Sequence, residues 1–572
     1  HFKVEAGASL TLRALVLTDG AVTGSGGAIY NEGQVTLDQV SLRNNQAEGD
    51  PLAWEGSGGA ILSSGALEIV SSRLIANRAI DMGGAIALFT AMPDSPPSLI
   101  IDDAHFEDNV SGNGGGAAYL EGNVLIQASR FISNVAPAGG GLEFGPTGEF
   151  TLGDSIVARN QADTDLGGGL YIVGGVTQIS GSVIEENSSL GGGGGVYINP
   201  NYGAEVTISD SSVRRNRTLG QNPPYSLTGI VGGGIYNGAT LRLEDVQIEA
   251  NEAGEAAGLY NYSEASHLTV QNSAIVGNRA ATVAGGVWSS SADVQRFTNV
   301  TMSGNQAGAF AGGAYFSGGP VALTHVTLAD NQSLDGANLH LTDAANVTLT
   351  SSIVASPVDG PNCTVVGAAA QLQSGGANIA SDNSCALTGP GDLSATDPLL
   401  GALADNGGST LSHLPQPGSP AIDRAPLAGC PPTDQRGFLR PVGAACDSGA
   451  VEVGALAPLP TPTPTPTLTA TPTTPPPSPT PSATPTLPPL PADFVPAQPA
   501  NAQPPTVQIA PVSAAPGVTV TVSGVNASGA TAVRLQWQFG GAMFFAANEA
   551  TEPGGAFSTD LTVPNEGIVG PG

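Results

Sequence analysis

Few side chains in this sequence are spaced to do acid–base chemistry. Glycoside hydrolysis needs two or three converging carboxylates, yet the only adjacent aspartates are Asp102 and Asp103. None of the six histidines is followed by glycine, as pectin-type hydrolases require; their neighbours are Phe, Phe, Leu, Val, Leu and Leu. Lyase chemistry needs a base beside acidic calcium ligands, and no aspartate cluster has the spacing of a calcium loop. Asp434, Arg436 and Asp447 could suggest a catalytic cluster, but buried structural pairing is the expectation. Arg43, Arg159, Arg214, Arg215, Arg217 and Arg279 gather near one repeated position with Glu107, Glu185, Glu186, Glu249 and Glu252, which reads as a solvated edge of mixed charge. No catalytic residue, metal or cofactor is therefore expected.

A second pattern concerns contact. The residue after a repeated aliphatic is aromatic at Tyr30 and Tyr119, then in six successive units at Tyr171, Tyr197, Tyr236, Tyr260, Trp288 and Tyr315. Leu62, Ala87 and Glu143 occupy it elsewhere. On a strand this position faces outward. Rings stacked about 4.8 Å apart would make a flat amphipathic strip able to dock sugar rings or another protein. The plainer reading is that they stabilise neighbouring strands.

What positions these residues is a repeat. An Asn with an apolar residue three places before it occurs at Asn45, Asn77, Asn109, Asn134, Asn160, Asn187, Asn216, Asn251, Asn278, Asn305 and Asn331, in steps of 25 to 35 residues. Such a period marks a stacked array. Segments such as Gln34-Val35-Thr36-Leu37-Asp38 alternate in polarity, which is strand periodicity. Each unit supplies about three short strands, one triangular coil of a parallel β-helix. The Asn amides are expected to form a ladder, each donating to the next coil, at a turn that needs a residue tolerant of the left-handed region. The sequons at Asn187 and Asn216 are then parts of the fold. A Gly pair serves the opposite corner, and Ile29 with its equivalents Ile61, Ile86, Ala118, Leu142, Leu170, Val196, Ile235, Leu259, Val287 and Ala314 points inward.

Gly-Gly-Ala-Ile at 26–29, 58–61 and 83–86, paired with Phe106-x-x-Asn109 and Phe131-x-x-Asn134, resembles the repeats of the polymorphic outer-membrane protein family and related bacterial β-helix surface proteins. The resemblance covers about residues 1–355. It implies a right-handed parallel β-helix in a cell-surface setting, with further coils before His1. No segment of residues 1–572 is expected to form the family's C-terminal membrane barrel. Asp397–Leu411, Pro417–Asp423, Thr433–Gly437 and Cys446–Glu452 look like the module that follows β-helix repeats in many large bacterial surface proteins. From 505 to 572 the alternation resembles a bacterial immunoglobulin-like domain, expected to lack its final strand.

The expected organisation is all-β: a β-helix of about twelve coils over 1–355, an irregular cap over 356–456, a Thr/Pro-rich stalk over 457–504, and a small β-sandwich over 505–572. Insertions at 48–54, 91–97, 199–202 and 219–225 are expected along its edges. Cys363, Cys385, Cys430 and Cys446 allow three pairings; nearest neighbours, Cys363 with Cys385 and Cys430 with Cys446, are expected. No Cys-x-x-Cys spacing suggests zinc, so an oxidising, extracytoplasmic location follows. A net charge of −31, with Lys3 the only lysine, argues against nucleic acid. No apolar span long enough for a membrane helix is seen. The expected function is that of a secreted or cell-surface structural protein, an adhesin or fibre subunit. It would associate with itself through rod ends or edges, or with glycans or surface proteins. The alternatives are a carbohydrate-active β-helix enzyme and a glycan-binding module.

Overall fold

The computed structural model describes residues 2–49, 55–90, 97–219, 230–263 and 266–457, and the backbone of five strands between 506 and 562. The stalk and most of the four insertions lie outside the described residues. The described chain is a parallel β-solenoid of about 13 turns without a helix. At the usual strand spacing its axis is roughly 60 Å long.

Most coils have a fourth short strand, one more than the repeat length suggests. In the second coil the four are Ile29–Asn31, Gln34–Asp38, Ser41–Arg43 and Gln46–Glu48. The first three join one large parallel sheet, and the fourth joins a separate sheet of eleven strands. Register is strict: Ile29 pairs with Ile61, and Leu170 with Val196. First and second strands merge in some coils, as in Ala118–Gln127 and Leu170–Ser180, across the positive-φ glycines Gly122 and Gly175.

The core is the column of inward side chains. Ile29, Ile61, Ile86, Leu142, Leu170, Val196, Ile235, Leu259 and Val287 have no solvent-accessible surface. Burying each is worth about 1.5–3 kcal/mol relative to exposure. Phe106 and Phe131 stack within the core with ring centroids 4.7 Å apart, so the Phe of two repeats is a packing pair.

The asparagines line one corner as a continuous ladder. Asn160 donates from Nδ2 to Oδ1 of Asn187 (2.9 Å) and to the carbonyl of Phe131 in the preceding coil (2.9 Å). Its backbone N–H also reaches Asn187 Oδ1 at 2.9 Å. The same set recurs from Asn45 to Asn305, and Asn331 then passes the ladder to Asn338 and Asn362. The ladder asparagines are not the left-handed residues of this turn. Positive φ falls one place earlier, at Asn44, Ala76, Asp108, Ser133, Arg159, Glu186, Arg215, Ala250 and Asp330. Ala, Arg and Glu tolerate it there because the adjacent amide bonds over-determine the corner.

A second ladder stands five residues before the first. Ser129, Ser155, Ser182 and Ser211 each accept from the backbone N–H of the preceding coil at 3.0–3.1 Å and donate to the carbonyl two residues back. At the glycine corner Gly83 has φ +68°, and a Cβ on Gly84 would collide with the carbonyl of Gly116, so neither admits a side chain.

Solenoid pairing runs beyond residue 355. Cys363–Val365, Gln371–Gly376 and Ile379–Ala380 continue the ladders, and Gly389–Leu393 lies on the last coil. The cap does more than close this end. Residues 398–453 turn back along the outside of the third strands, from Gln247–Glu249 to Ile379–Ala380. Leu411 N–H meets Gln247 Oε1 (3.1 Å), Thr301 Oγ1 meets Gln435 Oε1 (2.6 Å), and Ala450 N–H meets Thr327 Oγ1 (3.0 Å). Two disulfides, Cys363–Cys385 and Cys430–Cys446, pin this region. Further on, Thr506–Ala510 pairs antiparallel with Thr519–Val525, which pairs with Phe557–Thr562, and Ala532–Phe539 forms a hairpin with Ala542–Ala550.

Candidate functional site

The aromatic column is set by register. Tyr171 pairs with Tyr197, Tyr197 with Tyr236, Tyr236 with Tyr260, Tyr260 with Trp288, and Trp288 with Tyr315. Their centroids lie 4.3–5.4 Å apart. The column is not the flat stacked strip that even spacing suggests. Only Tyr197 and Tyr236 stack, at 22°. The other four contacts cross at 67–69°, because edge-to-face packing suits the ring quadrupoles better.

Most of this surface is inside the protein. Tyr197, Tyr236 and Tyr260 are 7–9% exposed and pack with Val231 and Ala256, while Leu166 flanks them. Burial pushes the phenols of all three, and of Tyr171, upward, so they remain protonated donors. Asn199 Nδ2 donates to Tyr171 Oη at 2.7 Å. The column continues to His340, which stacks on Tyr315 at 5.3 Å and 10°. The most accessible rings beside it are Tyr202, Tyr262 and Phe310, 59%, 49% and 41% exposed. Tyr262 stacks on Tyr260 at 5.5 Å. Alternation carried the signal for Tyr262, two residues after Tyr260, and register carried it for His340, the residue after Leu339.

Between Tyr119 and Tyr171 the column holds a carboxyl, Glu143, in place of a ring. Glu143 pairs in register with Tyr119 and Tyr171 and is 8% exposed. Its side chain lies over Gly114, where a Cβ would collide with Oε2. Asp81, 3% exposed, accepts from Ser57 Oγ (3.0 Å) and Asn113 Nδ2 (3.2 Å). Tyr119 Oη donates to Glu121 Oε1 at 2.8 Å. Burial first, and the charge of Asp81 second, push Glu143 up to about 8.

The other polar candidates hold structure together. Arg436 donates to Asp434 Oδ2 through Nε (2.9 Å) and Nη2 (2.7 Å), with both side chains buried. Asp447 accepts from the backbone N–H groups of Asp423 (2.8 Å) and Val453 (2.7 Å). At the Asn corner, Arg214 and Arg215 pair with Glu185, and Arg215 with Glu186. Asn187 and Asn216 have no accessible surface. Two hollows, of 420 and 190 Å³, flank Arg78 and Arg217 on the small sheet. Among the described residues no three His, Cys, Asp or Glu side chains converge as a metal site. No protein-family model, curated protein or solved structure matches the chain.

Proposed function

We propose that this chain is a secreted or cell-surface structural protein of the adhesive kind, with a subunit of an extracellular fibre or sheath as the stronger form of that reading. The observation that carries it is the aromatic column: a rigid, hydrogen-bonded shaft presents Tyr262 and Tyr202 beside a file of buried rings. Repeats similar to those of the polymorphic outer-membrane proteins favour the same setting, as do two disulfides. Among the described residues no helix is long and apolar enough to cross a membrane. Self-association through ends or edges would work against a net charge of −31 unless cations screen it. Imaging the protein with and without calcium tests the fibre form, which dispersed monomers in both conditions would remove.

The exposure of Tyr202 and Tyr262 favours glycan binding as the second reading. Retention on immobilised polysaccharides should fall about thirtyfold in a Tyr202→Ala/Tyr262→Ala double variant, since losing each sugar–ring contact costs on the order of 1 kcal/mol. Unchanged retention would remove this reading. Release of oligosaccharide from acidic or neutral polysaccharides would instead favour the enzyme alternative.

A further inference from the structure

We propose that Glu143, together with Asp81, is a proton-operated lock in the aromatic column. With its proton, the Glu143 carboxyl stays folded over Gly114 and closes the break between Tyr119 and Tyr171. Without it, the side chain is driven out and the break opens. This device is independent of what the surface binds.

The geometry leaves few alternatives for this side chain. Glu143 sits on a first strand with register neighbours on both sides, so it reaches water only by loosening that pairing. It is 8% exposed, and only burial and the charge of Asp81 act on its carboxyl. A buried carboxylate without partner or cation is strongly disfavoured, and such a group neutralises instead. The groups facing it offer no rescue. Asp81, on the segment leading into an earlier glycine corner, already accepts from Ser57 and Asn113, and its charge is the only one that acts on Glu143. Tyr119, from the preceding coil, gives its hydroxyl to Glu121. Tyr171, from the following coil, is engaged by Asn199.

The sign follows from burial. The folded carboxyl binds its proton more tightly than the unfolded one, so the closed arrangement is stable at low pH. That stability is lost as pH rises through about 8. Every other column residue from Tyr119 to Tyr315 is aromatic, so the break cannot be mimicked elsewhere.

Hydrogen exchange of peptides covering 139–145, corrected for intrinsic rates between pH 6 and 9.5, tests the lock. Peptides covering 278–287 serve as the internal reference. The expected result is a loss of protection of tenfold or more at 139–145 alone, building as pH rises from 6 and levelling off above about 8. Glu143→Gln, which keeps the shape without the titration, should abolish the step and stay protected throughout. Asp81→Asn should move this levelling-off to lower pH by removing the opposing charge. No step in the native protein, or an unchanged step in Glu143→Gln, would overturn the proposal.

Discussion

The third strands face opposite environments at the two ends of the solenoid. In the early coils their outward positions include Arg73, His105, Glu107, Arg130, Glu185 and Arg214, exposed or half-exposed and partly paired with each other, alongside the buried Ile132 and Ala158. In the late coils the same register positions are Ala274, Val276, Thr301, Ser303, Thr327, Ala329, Ile353 and Ala355, each at most 2% exposed beneath the cap. The backbone is the same in both; only the side chains differ. One scaffold therefore makes a solvated edge or a docking face according to two outward residues per coil. The late face replaces charge with hydroxyls that bond the cap, such as Ser303 to His413 Nε2 (2.8 Å) and Thr301 to Gln435.

The largest break in this contrast should come from Arg440. Its side chain is fully buried against Glu452 (3.4 Å) and donates to the carbonyls of Asp447 and Gly449 at 2.8 Å. Arg440→Met leaves the buried Glu452 carboxylate without a counter-charge, held only by the backbone N–H groups of Val442 and Asp447, and urea unfolding should show a loss of about 3–5 kcal/mol. A loss below about 1 kcal/mol would mean that the cap is held by other contacts.

Next is His325, whose Nδ1 accepts from Arg440 Nη1 at 2.9 Å. Burial and then the arginine push it down to about 3. The unfolded chain therefore binds the extra proton first, and this contribution to stability fades as pH falls below about 6.5. Asp447 and Glu452, both raised by burial, act in the opposite sense, so the readout is a difference. Relative to His325→Gln, the native protein should lose about 2–3 kcal/mol between pH 7 and 4.5. Parallel pH profiles would show that His325 is not held neutral.

The smallest effects sharpen the comparison itself. Ala329→Leu, beneath the cap, should cost about 1–3 kcal/mol by overpacking. Arg130→Ala, on the open stretch, should stay within about 0.5 kcal/mol. Equal thermal shifts for the two would erase the distinction between the faces.

Much of the fold was legible because a solenoid repeats its own evidence. Asn steps, inward aliphatics and alternation all report one register, and nearest-neighbour cystines follow from chain proximity. The fourth strand was hidden because two- or three-residue pieces such as Arg78–Ala79 carry no periodicity. The serine ladder was hidden because Val40, Ala104 and Val246 interrupt it. The cap's path left a trace in the loss of charge after Glu249, but reading it requires knowing which positions face outward. In the candidate site, alternation placed the rings on the outer face without showing that neighbouring rings and Val231 bury them. Glu143 looked like a gap, since nothing in sequence brings Asp81, 62 residues earlier, to its side.

The Asn file has one further consequence. Every rung points the same way and makes the same bonds as the one before, so no rung knows its place in the series. Excising residues 160–186 would set Asn187 where Asn160 stood, facing Asn134, with an equivalent carbonyl behind it. The shaft can thus be shortened or lengthened by whole turns like a telescoping mast, without retuning the parts that remain.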